Sequence, residues 1–236
     1  MQDTIKFDIL KEFKDVVIYE RTEQIANLEH YTNEYIVVDN KTKDCVVIDP
    51  AFNGKCIYGW IKEQEYTLRA ILITHCHADH TGGLLDLLKL SDVKVYIGKE
   101  DRVGLCDKVY SEEDKVGFCL DKLTSKDMQN VISIQNNEVI SISDNVKFKV
   151  IYTPGHTSGS VTYKLNDLDI LFVGDTVFRN SCGRTDLITS NRKQMRMSLD
   201  LLYDEYAEFY VCPGHGEQFV LSDSKRRVNL LFALGS

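Results

Sequence analysis

Ala70-Ile71-Leu72-Ile73-Thr74-His75-Cys76-His77-Ala78-Asp79-His80 is the stretch whose reading decides the fold. Its first part is an unbroken apolar run rich in branched residues, which reads as a buried strand. Its second part is a polar loop that stops the strand and carries three histidines and an aspartate. A strand ending in such a loop delivers side chains to one place, which is how a metal site is built. His75 and His77 lie two apart, so in extended chain both imidazoles leave from one side, while Asp79 and His80 follow on a turn that can aim elsewhere. One loop can therefore feed two neighbouring metals. A lone histidine here would read as a helix cap; four His/Asp candidates within six residues reverse that reading.

The pattern recurs twice. Val150-Ile151-Tyr152 runs into Thr153-Pro154-Gly155-His156-Thr157, and Tyr210-Val211-Cys212 runs into Pro213-Gly214-His215-Gly216, each a strand followed by a Pro-Gly turn that presents one histidine. Between them, Asp169-Ile170-Leu171-Phe172-Val173 ends in Gly174-Asp175-Thr176 and offers a carboxylate from another strand end. Each of these alone is weak; with the 75–80 loop they hold five of the chain's six histidines.

The ordered set His75, His77, Asp79, His80, His156, Asp175, His215 resembles the ligand pattern of the metallo-β-lactamase superfamily. Val173-Gly174-Asp175-Thr176-Val177-Phe178 followed by Ser181-Cys182-Gly183-Arg184-Thr185-Asp186-Leu187 is similar to the glyoxalase II-like (hydroxyacylglutathione hydrolase-like) branch. The resemblance spans roughly Tyr31 to Gly216. It implies a four-layer αββα sandwich, two mixed β-sheets with helices on both outer faces. It implies that His75, His77 and His156 hold one metal, that Asp79, His80 and His215 hold a second, and that Asp175 bridges them. The cofactors expected are two divalent ions, zinc first, with iron or manganese as alternatives.

The reaction implied is hydrolysis of an acyl thioester, or a related ester, by hydroxide generated between the two cations, with Asp79 as both ligand and acid/base. Arg184 carries two readings: it reaches an anionic substrate group, or it closes a salt-bridged loop. Asp186 is read as orienting a ligand histidine from behind, or as Arg184's partner in that loop. Only 21 residues follow His215 (236 − 215), so no separate C-terminal glutathione-binding domain is expected. The alternative within the fold is a persulfide dioxygenase with one iron on His75, His156 and Asp175. A non-catalytic metal-binding domain is disfavoured because no ligand of the pattern is missing. β-Lactam hydrolysis usually accompanies export.

Composition agrees with an enzyme of this kind. No Pro/Gly/Ser-rich linker divides residues 1–236, so a single domain is expected. Hydrophobic residues make up 43% of the chain, enough for a large core, and no apolar run is long enough to span a membrane. The Met1 end has neither a basic start nor an apolar centre, and seven scattered cysteines, Cys45, Cys56, Cys76, Cys106, Cys119, Cys182 and Cys212, suggest no disulfide framework. Both features point to the cytoplasm. A net charge of −8 argues against nucleic acid as a partner and leaves a small acyl thioester or ester. The basic cluster Lys225-Arg226-Arg227 reads as the solvated face of a last helix.

Apolar β-rich runs at 35–38, 45–48, 70–73, 93–97, 131–134, 146–152, 160–165, 169–173 and 209–212 alternate with helical candidates at 55–65, 83–90, 191–203 and 222–234. Turns at 39–44 and 165–167 read as hairpins, which makes a purely parallel sheet unexpected. The polar segment 101–130 reads as a surface excursion, with a helical insertion as the alternative.

Overall fold

The computed structural model describes residues 5–24, 31–106 and 123–234. Two mixed sheets lie face to face. The first joins β1 (Asp8–Glu12), β2 (Val16–Gln24), β3 (Tyr31–Asp39), β4 (Asp44–Ile48), β5 (Thr67–Ile73), β6 (Lys94–Gly98) and β7 (Val131–Ile134) in that order, antiparallel as far as β4 and parallel beyond it. The second runs β13 (Phe219–Val220), β12 (Tyr210–Pro213), β11 (Ile170–Gly174), β10 (Val161–Leu165), β9 (Lys147–Tyr152) and β8 (Val139–Ser141), with β11 and β12 its one parallel pair.

The period-two alternation of side chains sorts the strands onto layers. On β3 and β5, Tyr35, Val37, Ala70 and Leu72 face inward, where they meet Phe148, Val150, Tyr163 and Phe172 of the second sheet. The alternate residues Ile36, Val38, Ile71 and Ile73 face outward against α1 (Gly54–Glu63) and α3 (Leu84–Leu90). Helix α1 buries Ile57, Trp60 and Ile61, spaced i, i+3, i+4 so that they form one stripe. The outer face of the second sheet, with Leu171, Val173 and Val211, is covered by α4 (Arg192–Glu205) and α5 (Leu221–Leu234). Helix α4 starts where the Asn191 side chain accepts the Gln194 N–H at 3.0 Å. The result is the αββα sandwich, with strands buried on both faces reading as continuous apolar runs.

Several strands escape the sequence reading. Val16–Gln24 begins apolar but continues as Glu20-Arg21-Thr22-Glu23, and its charge is absorbed inside the fold: Arg21 pairs with Glu23 at 2.8 Å and with the buried Glu34 at 2.7 Å. The 101–130 segment is not simply a surface excursion. It begins in a 3-10 helix, Lys99–Leu105, that buries Asp101, and it closes in a second 3-10 turn, Asp127–Asn130; its centre lies outside the described residues, as does Cys119. The remaining cysteines form no disulfide among the described residues. No helix there is long and apolar enough to cross a membrane.

Strands β9, β11 and β12 point the same way, and β4 and β5 run parallel to each other. The loops after all five meet along one edge, where Val161 N–H donates to the Thr74 carbonyl at 2.9 Å and Asn33 N–H to the Gly214 carbonyl at 2.8 Å, bridging the sheets.

Candidate metal centre

All seven residues picked from the motifs converge at this edge. The donor atoms of His75, His77 and His156 lie within 4.8 Å of one another, and so do those of Asp79, His80 and His215. His77 and His156 point ring nitrogens at each other, Nδ1 to Nε2, at 2.9 Å. Asp175 stands between the two groups: its Oδ2 is 3.5 Å from His156 Nε2 and 3.3 Å from His215 Nε2, and its Oδ1 is 3.4 Å from His80 Nε2. Asp79 Oδ2 is 3.3 Å from His215 Nε2 and accepts the Thr32 hydroxyl at 3.4 Å. Cys76 and Cys182 join neither group.

Local structure explains the split of the histidine loop. His77 is extended, with φ −63° and ψ 149°, and stands at the start of the short helix α2 (Ala78–Thr81), whose turn brings Asp79 and His80 together with His215 while the His80 ring stays 4.2 Å from that of His75. The Pro-Gly turn before His215 fits because Gly214 has no side chain: a Cβ there would sit 2.3 Å from Asp175 Oδ1 and 2.5 Å from His80 Cε1. Gly183 serves in the same way beside His156, where a Cβ would come within 2.0 Å of the Asp175 carbonyl and 3.0 Å of the imidazole.

Four of the five histidines are steered from behind. His80 Nδ1 donates to Asp49 Oδ2 at 2.9 Å, His215 Nδ1 to the Tyr31 carbonyl at 2.6 Å, and His156 Nδ1 to the Arg184 carbonyl at 3.0 Å. His75 Nδ1 meets the Thr74 hydroxyl at 3.1 Å, which itself donates to Asp49 Oδ2 at 2.6 Å. These contacts fix the tautomers that leave Nε2 of His75, His80, His156 and His215 facing the centre.

The group behind His156 is the backbone of Arg184, not the Asp186 carboxylate. That carboxylate takes the Arg184 guanidinium through two bonds of 3.0 Å, in an exposed pair that also lowers the Asp186 pKa. Asp49 and Asp101 were not singled out from sequence. Asp49 follows β4, as Asp175 follows β11, so the rule of a strand ending in a carboxylate would have found it. Asp101 lacks even that signal. Its Oδ2 accepts the Cys76 N–H at 2.9 Å and the Thr157 hydroxyl at 2.7 Å, while Oδ1 accepts the Gly159 N–H at 2.8 Å, tying the His75–His80 loop to the His156 turn.

The electrostatics differ across the centre. Burial lowers the pKa of His75, His77 and His156, so these imidazoles are neutral. Burial also opposes charge on His80 and His215, but the carboxylates of Asp79 and Asp175 outweigh it and carry them up to about 10 and about 11. Despite their own burial, Asp79 and Asp175 are in turn held well below the usual carboxylate range by His80 and His215. The buried His75 Nε2 and Asp175 Oδ1 have no hydrogen-bond partner. A buried polar atom without a partner is costly, and lone pairs aimed at a common point fit cations. The donor set of imidazoles and carboxylates fits divalent metals.

A family model described as the metallo-beta-lactamase superfamily matches residues 29–215. The chain belongs to that superfamily. Among its relatives, a probable metallo-hydrolase of Bacillus subtilis, YqgX, is 30% identical over 187 residues, covering 79% of this chain and 85% of that protein. Of solved structures, the BLEG-1 B3 metallo-beta-lactamase superposes with a TM-score of 0.74 at 28% identity, covering 86% of this chain and 95% of that one. TTHA1623 in a di-iron-bound form also gives 0.74, at 26% identity, covering 89% and 100%. As a superfamily member the chain has the framework of a metallo-hydrolase, and it carries a cluster suited to divalent metals where its strands end.

Proposed function

We propose that the chain is a dinuclear metal-dependent hydrolase of the glyoxalase II-like branch, acting in the cytoplasm on a small acyl thioester or related ester. The observation that carries this reading is the placement of Asp175 between two complete donor groups, one of three imidazoles and one of two imidazoles and a carboxylate. His75, His77 and His156 would hold one ion, Asp79, His80 and His215 the other, and Asp175 both. When bound, such a pair supplies Lewis acidity and lowers the pKa of a shared water toward ~7.

The chain's own residues supply the rest. Asp79, half-buried and bonded to the Thr32 hydroxyl, orients the attacking water and then holds its proton at Oδ2. Asp49 and the carbonyls of Tyr31 and Arg184 keep the imidazoles aligned, so little reorganisation accompanies the reaction. The Gly183-Arg184-Thr185-Asp186 stretch supports the glyoxalase II-like assignment, and the exposed Arg184 guanidinium, paired with Asp186, would meet an anionic substrate by exchanging that partner for it. Zinc is the ion we favour, with iron the alternative that the di-iron neighbour suggests. The dioxygenase reading would use His75, His156 and Asp175 alone and leave the second group without a role.

Elemental analysis of protein purified without added metal, followed by S-lactoylglutathione hydrolysis on the same sample, tests the reading. Two metals per chain with thioester turnover are expected. One iron per chain, with oxygen consumed on glutathione persulfide, would replace the hydrolase with the dioxygenase.

A further inference from the structure

Helix α5 carries more than a solvated basic face. Lys225 lies over the Tyr203 ring, 5.5 Å from its centre, whereas Arg226 and Arg227 turn the other way and line a cavity of about 600 Å3 with Leu230, Leu231 and Asn180. The spacing i, i+1, i+4, i+5 places both guanidiniums and both leucines on one side of the helix. Neither guanidinium has a carboxylate or carbonyl partner among the described residues, whereas each of the chain's other arginines has one. Leu230 is 58% exposed, a large apolar side chain beside the two cations.

Both walls of the cavity are continuous in chain with residues at the metal centre. Asn180 sits in the turn closed by Phe178 N–H donating to the Ser181 carbonyl at 2.8 Å, and the Phe178 ring meets the His215 ring edge-on at 5.9 Å. Helix α5 follows the His215 turn through β13 and is pinned at its far end by Arg192, which donates to the Leu231 and Phe232 carbonyls. The wall is therefore preformed.

On the hydrolase reading proposed above, we infer that this cavity is the subsite for the distal end of the substrate, and that it selects a carboxylate or phosphate carried on an apolar stem. Leu230 and Leu231 cover the stem; Arg226, Arg227 and the Asn180 amide hold the anion through charge-assisted bonds.

Acetyl thioesters of ω-mercapto carboxylates and ω-mercaptoalkyl phosphates of graded length, each paired with the matching neutral amide, separate the possibilities. The wild type should favour the anionic member at one length, the better head group naming the anion. Arg226→Ala/Arg227→Ala should reduce that anionic-over-neutral ratio in kcat/KM by roughly 10-fold, with Arg226→Lys/Arg227→Lys restoring part of it. An unchanged ratio, with neutral thioesters still hydrolysed by the wild type, would overturn the subsite and leave the hydrolase standing. If no thioester is hydrolysed, the hydrolase reading fails and binding decides the subsite. Titration with the free mercapto carboxylates should shift the arginine Nε signals of Arg226 and Arg227 in nitrogen-correlated NMR spectra, and still signals would overturn it.

Discussion

Asp101 joins two loops that hold metal-site histidines, and its removal has a magnitude that the structure sets. In Asp101→Ala three donors lose their acceptor: the Cys76 N–H, the Gly159 N–H and the Thr157 hydroxyl. The hydroxyl can turn to Ser160 Oγ, 2.6 Å away, so two buried N–H groups remain orphaned at ~1–3 kcal/mol each. Burial raises the Asp101 pKa, so losing the carboxylate returns part of that cost. A net loss of about 3 kcal/mol is expected, a large share of the ~5–15 kcal/mol of a typical domain. Asp101→Asn keeps one oxygen and turns its amide toward one of the donors, so about half that loss is expected. Urea unfolding of the chelated protein reads this directly, since bound metal would add its own binding free energy to the native state. An alanine variant within about 1 kcal/mol of wild type would show that the three bonds do not hold the loops together.

Asp175→Asn should bind fewer than two metals per chain and lose turnover, because an amide cannot present an anionic oxygen to both groups; two tightly held ions by elemental analysis would contradict the bridging role. Arg184→Ala should keep its metal stoichiometry, since His156 is held by the Arg184 carbonyl, and a loss of metal would mean the exposed ion pair positions that turn. Metal loading should release protons at pH 8. With pKa values raised to about 10 and about 11, His80 and His215 are charged in the metal-free protein, whereas His75, His77 and His156 are lowered and already neutral. A raised pKa means that protons compete with metal until pH climbs past it, so the Asp79 group should load more weakly as pH falls while the other group changes little near neutrality. Calorimetry in buffers of different ionisation enthalpy measures the release, and identical heats would refute it.

The site was legible where residues act together in sequence. His75, His77, Asp79 and His80 share one loop, and Pro-Gly-His repeats at 154–156 and 213–215 after apolar runs, so chemistry and secondary structure pointed the same way. Asp101 was opaque because it acts alone, through bonds to residues at least 25 positions away, whereas Asp49 ends its strand as Asp175 does but reaches Thr74 and His80 only through the fold. The strand at Val16–Gln24 was hidden for a related reason. Its polar half is compatible with a sheet only because Arg21 finds Glu34 across the pairing of β2 with β3. Arg226 and Arg227 look like any exposed basic cluster until the turn at Asn180 is brought against them.

The parallel pairing of β11 with β12 places Gly174 beside Pro213, and Gly214 N–H donates to the Gly174 carbonyl at 2.8 Å. Asp175 and His215 therefore leave the sheet from neighbouring strand tips, and their separation is set by the ladder spacing of ~4.8 Å rather than by any loop. Reactive groups are thereby uncoupled from selective ones. On the proposed reading helix α5 can be exchanged to suit a new substrate while the spacing of the centre stays as the sheet dictates, whereas the 178–187 turn cannot, because Gly183 and the Arg184 carbonyl seat His156. In engineering terms, the proposed specificity element is a replaceable part and the centre is not.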